Sequence, residues 1–348
     1  MKSFSEHLIR SGSSIKSALE QLDILAKDAI LFVVDTDQHL LGSLTDGDVR
    51  RGLLKEVTIN HAVDEIIQLN PKFIQKDNYD LNYIVELRNE NFKIIPVVDN
   101  TGTVVNVINL RKLKSYLPVD AVIMAGGTGS RLRPMTDTVP KPLLQIGDKP
   151  IIDHNVDRLI SFGIDDIWVS VKYLGEQIES FLGDGHQKNI RINYIWEKEP
   201  LGTIGALRKA KNFKHDYVLV SNSDLLTNLN YEDFFLDFLK KGADLSVVSI
   251  PYAVNVPYAV LETKDGRIYS FKEKPTYTYY SNGGIYMMKK EMISKIPLDK
   301  FYDATDLLQS MIEDGSKVIT FPCRDYWLDI GKPEDYKKAQ RDIKHINF

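Results

Sequence analysis

The stretch "VDAVIMAGGTGSRLRPMTDTVPKPLL", residues 119–144, is the feature that most constrains the fold of this 348-residue chain. Val119 to Ala125 is a short, mostly apolar run, which is typical of a parallel β-strand covered on both faces. Three glycines follow directly, Gly126, Gly127 and Gly129. Because glycine permits positive φ and close backbone approach, the N–H groups of such a turn can point at one oxyanion. The stretch therefore predicts an α/β fold with an anion-binding loop after its leading strand.

This loop fits neither of the two common phosphate-binding motifs. No G-K-[S/T] sequence closes it, and its glycine spacing is not G-x-G-x-x-G. A dinucleotide-binding fold also expects an acidic residue after the second strand, where "IWVSVKYL", residues 167–174, carries Lys172 and Tyr173 instead. The net charge of -4 gives no global reason to expect nucleic-acid binding, so any anion must be held locally.

The cysteine content and the apolar stretches bear on the location of the protein. The single cysteine, Cys323, cannot form an intramolecular disulfide, and no cluster of cysteine and histidine suggests zinc. The N-terminus lacks the apolar core of a secretory leader, and no apolar stretch has the length of a membrane span. We therefore expect a cytoplasmic protein that does not enter the membrane.

Two similar segments lie in the N-terminal third of the chain. "ILFVVDTDQHLLGSLTDGDV", residues 30–49, aligns with "IIPVVDNTGTVVNVINLRKL", residues 94–113, so that Asp35 falls on Asp99. Each segment, with the residues before it, predicts the order helix, strand, turn, strand, helix. Two such units, each unable to bury its own faces, are expected to pack as a pair.

This duplicated pattern resembles a tandem cystathionine-β-synthase (CBS) module, an α+β fold that commonly senses adenine or guanine nucleotides. The resemblance covers roughly residues 1–116 and rests on "GSLTDGD", residues 42–48. It implies that Thr45 and Asp48 contact the phosphate and ribose of a regulatory purine nucleotide, since a carboxylate can accept both ribose hydroxyls. The second copy has Asn109 and Lys112 at these positions, which leaves at most one such site. A pair that serves only in dimerisation or scaffolding is the alternative.

A domain boundary is predicted near "KSYLPVD", where Pro118 is expected to end the last helix of the N-terminal module. The predicted domains are residues 1–117, the regulatory module, and residues 118–348.

The second domain resembles the sugar-1-phosphate nucleotidyltransferases, because "GGTGSRLRPMTDTVPKP", residues 126–142, is similar to the signature of that family. Six further segments follow in the family's order, and the resemblance covers residues 119–345. They are the unit that begins "GDKPIIDH" at residue 147, "EKEPLGTIGALRKA" at 197–210, "SNSDLL" at 221–226, "FKEKP" at 271–275, "SNGGIYMM" at 281–288 and "YWLDIGKPEDY" at 326–336. The resemblance implies a mainly parallel, Rossmann-like sheet with helices on both faces, preceded by the α+β CBS pair.

The resemblance also implies the residues that hold the phosphates and a metal ion. Arg131 and Lys141 would bind the triphosphate beside the three glycines, where arginine offers a planar fork and lysine a compact point charge. Asp224 and Asp329 would hold Mg²⁺, an ion that prefers hard oxygen ligands. Asp329 could instead merely cap a turn before Gly331.

The base and the sugar have their own expected residues. By resemblance, Gly202 and Thr203 lie against the base, and Glu197 is a further candidate for base recognition. Lys274 would hold the sugar phosphate, and Glu273 could merely pair with Lys274 at the surface. The residues expected at the sugar are Glu273, Asn282 and Gly284. Two departures from the family, Ser223 and Ala259 where glycine is usual, could narrow the sugar pocket or alter the metal geometry.

The implied activity is transfer of a nucleoside monophosphate from an NTP to a hexose or aminohexose 1-phosphate, with release of pyrophosphate. CBS-fused members resemble guanylyltransferases of legionaminic-acid-type surface-sugar pathways, which favours GTP, while UTP, dTTP and CTP stay open. The resemblance also implies a homo-oligomer. The alternative is a catalytically idle subunit that binds nucleotide and sugar phosphate only to regulate a partner. Retention of Arg131, Lys141, Asp224, Lys274 and Asp329 argues against it.

Overall fold

The computed structural model describes residues 4–76 and 78–346. Within them the chain divides into two compact units. The first contains the residues up to Pro118 together with Ser161–Gly163, and the second contains Val119–Ile160 and the residues from Ile164 onward. No helix in the two described ranges is both long and apolar enough to span a bilayer.

Two small sheets form the centre of the first unit. Its strands are β1 (Leu8–Arg10), β2 (Ile30–Val34), β3 (Leu40–Thr45), β4 (Gln68–Leu69), β5 (Ile74–Gln75), β6 (Ile94–Val98) and β7 (Val104–Asn109), and its helices are α1 (Ile15–Leu25), α2 (Asp46–Leu53) and α3 (Leu81–Asn89). One sheet has the order β1-β2-β3-β4 and the other β5-β6-β7. In each, a parallel pair continues into an antiparallel one: β1, β2 and β3 in the first, β5, β6 and β7 in the second.

The helix predicted at the end of the second segment is wrong. β7 ends at Asn109, and residues 110–118 form turns and irregular chain up to the next strand. The Asn109 side chain accepts a hydrogen bond from the backbone N–H of Arg111 at 2.9 Å, which closes a turn instead of opening a helix. Its amide also donates to Asp28 at 2.9 Å, so Pro118 has no helix to end.

Asp48 has a structural task at the start of α2. Its carboxylate accepts hydrogen bonds from the Thr45 N–H at 2.9 Å and the Thr45 hydroxyl at 2.6 Å, which forms a capping box. Arg51 and Gln68 donate to its other oxygen. Burial acts to raise the pKa of Asp48, but these hydrogen bonds outweigh it and hold the pKa below its ordinary value. Asp48 is 3% exposed, so its oxygens are occupied within the unit.

We expect Asp48→Ala to destabilise the first unit by about 2–4 kcal/mol, because the cap and the charged hydrogen bonds are lost together. Since the folded-state pKa is lowered, this stabilisation is present above the pKa of an unfolded aspartate, about 3.9, and is lost as the pH falls through the folded value. Urea unfolding followed by far-UV circular dichroism at neutral and acid pH measures both effects.

The control for this experiment is Asp46→Ala, which removes an exposed carboxylate from the same helix turn. All three tryptophans, at 168, 196 and 327, lie in the second unit, so their fluorescence reports whether that unit is untouched. Equal destabilisation by the two substitutions would contradict a specific role for Asp48.

A seven-stranded sheet forms the centre of the second unit. The strands of this unit are β8 (Val119–Ala125), β9 (Gln145–Ile146), β10 (Lys149–Pro150), β11 (Asp166–Val171), β12 (Arg191–Trp196), β13 (Tyr217–Asn222), β14 (Leu225–Thr227), β15 (Leu245–Asn255), β16 (Val260–Lys264), β17 (Arg267–Lys272), β18 (Thr276–Lys289), β19 (Val318–Pro322) and β20 (Trp327–Asp329). The sheet order is β12-β11-β8-β13-β18-β15-β19, and only β18 runs antiparallel to its neighbours. The predicted mainly parallel α/β sheet is confirmed.

Helices cover both faces of this sheet. The helices of this unit are α4 (Ile151–Ser161), α5 (Gly175–Leu182), α6 (Tyr231–Lys240), α7 (Ala304–Glu313) and α8 (Pro333–Asp342), of which α8 packs beside β9 and β20 and not on the large sheet. On β13, Val218 and Val220 share a buried cluster with Leu307 of α7. The neighbouring Tyr217 packs edge-on against Phe235 of α6, with 5.1 Å between ring centroids. Because successive residues of a strand point to opposite faces, α6 and α7 lie on opposite sides of the sheet.

Candidate active site

The carboxyl ends of three parallel strands meet at one edge of the large sheet. Ala125, the last residue of β8, is paired with Val171, the last of β11, and Met124 is paired with Asn222 at the end of β13. The loops after these strands line a cavity of about 800 Å³. This edge is where open α/β sheets place their ligands, and β8 lies between its parallel neighbours at its centre.

The glycine loop forms one wall of the cavity. Gly129 has φ +63°, and a Cβ there would lie 2.9 Å from the Cβ of Lys141. The Thr136 hydroxyl donates to the Gly129 carbonyl at 2.9 Å and holds the loop against the segment that carries Lys141. Glycine is therefore required at 129 both for its backbone conformation and for the close approach of this lysine.

Lys141 lies between two carboxylates. It is 8% exposed, its ammonium pairs with Asp224, and its Nζ lies 3.8 Å from Asp329 Oδ1. Arg131 also lines the cavity, and its guanidinium packs over Gly331, where a Cβ would lie 3.2 Å from Nη2. The structure thus brings together four of the predicted residues, Arg131, Lys141, Asp224 and Asp329.

A separate two-stranded ribbon brings the two aspartates together. β14 follows Asp224 directly and pairs antiparallel with β20, which ends at Asp329, so that Leu225 lies opposite Asp329. The N–H of Ile330 donates to the Asp224 carbonyl at 3.0 Å and continues the ladder by one residue. Two residues that are 105 positions apart in the sequence therefore share one end of a ribbon.

The electrostatics of this pair suit a bound cation. Burial, with the negative charge of Asp224, raises the pKa of Asp329 above its ordinary value, against the opposing charges of Lys141 and Arg131. Within the described residues, neither Asp224 Oδ1 nor Asp329 Oδ1 accepts a hydrogen bond, although both atoms are buried. Two buried carboxylate oxygens without donors are a ligand set that fits a hard divalent cation such as Mg²⁺.

Glu197 organises a different part of the cavity wall. It is 9% exposed, and it accepts hydrogen bonds from the Ser170 hydroxyl at 2.6 Å and the Leu201 N–H at 3.1 Å. A Cβ on Gly126 would lie 2.6 Å from its Oε1, so the glycine loop packs directly on this carboxylate. Each of its oxygens accepts one hydrogen bond within the protein, and Glu197 thus holds the loop of Leu201 and Gly202 in place.

Gly202 and Thr203 lie in the cavity wall and are fixed by Asp303. Gly202 has φ +78°, and a Cβ there would lie 2.6 Å from the Tyr302 carbonyl oxygen. The Thr203 N–H donates to Asp303 Oδ1 at 2.8 Å, and the Thr203 hydroxyl accepts from the Ala304 N–H at 2.8 Å. These two hydrogen bonds at the start of α7 fix the backbone conformation of the loop.

The residues expected at the sugar are not brought into the cavity. Glu273 and Lys274 follow β17 and are exposed, and neither belongs to the cavity lining. Asn282 exchanges hydrogen bonds with the Tyr286 hydroxyl at 2.8 and 3.0 Å. Gly284 has φ +71°, and a Cβ there would lie 2.6 Å from the Nδ2 atom of Asn222, which does line the cavity. The sugar-binding roles of these four residues stay predictions.

Several lining residues were missed in the sequence. They include Lys172, Asn222, Phe301 and Asp303. Lys172 had counted only as evidence against a dinucleotide-binding motif, although its place after β11 is a strand-end position like that of Asp224. Asp303 could have been found as the first residue of a capping box with Asp306.

Comparison with known proteins relates this geometry to a family. Residues 120–346 match the model of the nucleotidyl transferase family. The chain is 34% identical over 230 residues to the D-glycero-alpha-D-manno-heptose 1-phosphate guanylyltransferase of Aneurinibacillus thermoaerophilus, covering 65% of this chain and 99% of that one. It is 32% identical over 253 residues to the UTP–glucose-1-phosphate uridylyltransferase of Synechocystis, and there the match covers 66% of this chain and 65% of the relative.

Solved structures show the same likeness. HddC from Yersinia pseudotuberculosis complexed with GMP-PN superposes with a TM-score of 0.51 at 30% identity, covering 65% of this chain and 99% of that one. A putative glucose-1-phosphate thymidylyltransferase from Bacillus anthracis, in complex with a sucrose, has a TM-score of 0.54 at 25% identity, with 66% and 97% covered.

We expect Glu197→Ala to loosen the loop of Leu201–Thr203 and to destabilise the second unit by about 2–4 kcal/mol. The reason is that the Ser170 hydroxyl and the Leu201 N–H would be left buried without an acceptor. Amide hydrogen exchange at residues 201–203 and urea unfolding followed by tryptophan fluorescence measure the two effects. The control is Glu199→Ala, an exposed glutamate two residues on. Unchanged exchange at Leu201 would contradict this role.

Proposed function

The chain belongs to the nucleotidyl transferase family and is a nucleotidyltransferase, and on that premise we propose that it transfers a nucleoside monophosphate from an NTP to a sugar 1-phosphate. The observation that carries the proposal is the cluster of Lys141, Asp224 and Asp329 beside the glycine loop, at the strand ends that line the cavity. This arrangement provides positive charge, backbone N–H groups and oxygen ligands around one space, which is what a triphosphate and a phosphate ester require.

The reaction needs charge neutralisation more than proton transfer. A phosphate monoester has a second pKa of about 6, so at neutral pH an oxygen of the sugar phosphate is already largely an ionised nucleophile. In the proposed step this oxygen forms a bond to the α-phosphorus of the NTP, and the bond from that phosphorus to pyrophosphate breaks. Arg131 and Lys141 would neutralise the triphosphate and hold it in line, as in other phosphoryl transfers.

We propose Mg²⁺ as the ion between Asp224 and Asp329. Support comes from the two buried oxygens that accept no hydrogen bond from the described residues and from the raised pKa of Asp329, which a nearby cation would offset. When bound, Mg²⁺ would supply a divalent positive charge to substrate phosphate oxygens, which is its usual function in such sites. The ammonium of Lys141 then remains beside the same carboxylates to contact a phosphate.

We further propose GTP as the nucleotide and a hexose or aminohexose 1-phosphate as the acceptor. The heptose 1-phosphate guanylyltransferase and the HddC complex with GMP-PN support guanine as the base. Other relatives are named for uridylyl and thymidylyl transfer, so the test includes the other NTPs. The CBS-like N-terminal segment supports an aminohexose 1-phosphate acceptor, since by resemblance such a segment is found in guanylyltransferases of pathways that lead to legionaminic-type acids.

Pyrophosphate release in the presence of Mg²⁺ tests the activity. Four NTPs are screened against a panel of hexose and aminohexose 1-phosphates, and we expect release that requires GTP and one sugar phosphate together. Asp224→Asn should lower that rate by at least about a hundredfold, because the site loses a ligand charge that positions the triphosphate. Circular dichroism should show a folded protein.

The control for the rate is Asp216→Asn, whose carboxylate is 89% exposed in the same unit. A rate that stays normal in Asp224→Asn would contradict the proposed site. If nucleotide binds but the full panel gives no pyrophosphate, the idle regulatory subunit becomes the better description.

We propose that the first unit is a CBS module that binds a regulatory purine nucleotide at Thr45 and Asp48 and supports a homo-oligomer. A ribose at Asp48 would have to replace Arg51 and Gln68 as its hydrogen-bond donors. Equilibrium dialysis of the full chain with AMP is the test. We expect uptake that persists in Asp224→Asn and disappears in Thr45→Ala. No uptake by the unaltered chain would leave the scaffold role.

A further inference from the structure

The glycine loop divides the cavity into two chemically different ends. At Gly129 a Cβ would lie 2.9 Å from the Cβ of Lys141, so this end adjoins the cluster of Lys141, Asp224 and Asp329. At Gly126 a Cβ would lie 2.6 Å from Glu197 Oε1 and 3.6 Å from the Cβ of Lys172. The Gly129 end thus carries the charges suited to phosphates, and Lys172 belongs to the opposite end.

The Gly126 end has the character of a site for a flat ring. Leu174, Pro200 and Leu201 contribute apolar surface to the cavity there. Glu197 is present, but its oxygens already accept from Ser170 and from the Leu201 N–H. A base that enters this end therefore meets apolar walls and the side chain of Lys172.

Lys172 is held in place through its neighbours, while its own ammonium is free to meet a ligand. The Tyr173 hydroxyl donates to the carbonyl oxygens of Thr136 and Asp137 at 3.0 and 3.1 Å, which ties this turn to the glycine loop segment. Lys172 is half-buried, and over the described ranges 4–76 and 78–346 no hydrogen bond or ion pair engages its ammonium. Most other partly buried lysines of this unit pair with aspartates, as Lys188 does with Asp153 and Asp157.

We propose that Lys172 is a specificity-determining residue that donates to the keto oxygen of the nucleotide base. The inference rests on the proposed function and names the feature of the base that the site recognises. An ammonium offers three donors and no acceptor. Guanine presents its O6 and N7 as two acceptors, whereas adenine presents an amino group in place of O6. Lys172 therefore favours a 6-keto purine over adenine, and a 4-keto pyrimidine over cytosine.

The test compares kcat/KM for GTP, ITP and ATP with one fixed acceptor. ITP keeps O6 and N7 but lacks the 2-amino group, so it isolates the contact assigned to Lys172. Lys172→Met should lower kcat/KM for GTP and ITP by about 10- to 100-fold, the range of one good base contact, and leave ATP nearly unchanged. Lys172→Arg, which keeps a donor, should retain most of the discrimination.

The control is Lys198→Met, an exposed lysine near the same loop and outside the cavity lining. It should leave all three constants unchanged. Equal losses for GTP, ITP and ATP in Lys172→Met would assign the ammonium to the phosphates and overturn the proposal. Unchanged constants for all three would overturn it as well.

Binding measurements separate this inference from the proposed transfer reaction. Isothermal titration with GMP, IMP and AMP requires no acceptor and no turnover. If the unaltered protein releases no pyrophosphate but prefers GMP and IMP to AMP through Lys172, the transfer reaction fails and the base selection stands. If transfer occurs but Lys172→Met keeps the same order of binding, the base selection fails alone.

Discussion

The buried Lys141 ammonium between Asp224 and Asp329 is the interaction on which the rest of the site depends. Burying a charged group is costly unless it is compensated nearby, and Lys141 is the most buried of the three side chains. Burial, with the negative charge of Asp224, raises the pKa of Asp329 against the opposing charges of Lys141 and Arg131. The proposed Mg²⁺ would compensate the two carboxylates, which would leave the positive charges of Lys141 and Arg131 for phosphate oxygens.

The supporting structure keeps these charges at fixed positions by ordinary backbone pairing. The ribbon of β14 and β20 holds the aspartates. Because Gly129 has no side chain, Lys141 can pack directly against the glycine loop. At the Gly126 end of the cavity, the Glu197 carboxylate accepts hydrogen bonds from Ser170 and Leu201 and so stabilises the cavity wall. Polar residues in one cavity therefore divide into those that hold the loops and those left free for ligands, and hydrogen-bond occupancy distinguishes them.

Much of the second unit could be predicted because its signals are local. An apolar strand that runs into glycines marks β8 and its loop, and Asp224 follows another apolar strand. The role of Asp329 could be predicted only from the resemblance to the family, since the strand pairing that brings it to Asp224 joins residues 105 positions apart. A binding role for Lys172 could not be predicted, because a single lysine after a strand belongs to no recognisable motif. The false helix after β7 arose because the hydrogen bonds of Asn109, to Arg111 and to distant Asp28, override local helix preference.

The place of β20 in the chain has a consequence for the order in which the protein becomes competent during synthesis. Asp224 leaves the ribosome 105 residues before Asp329, and β14 has no partner strand until β20 emerges. The glycine loop, Lys141 and three parallel strands are made earlier, but the ribbon that completes the carboxylate pair can close only after β20 has emerged. A nascent chain that has not yet reached β20 therefore has Lys141 and Asp224 but neither Asp329 nor the strand that pairs with β14.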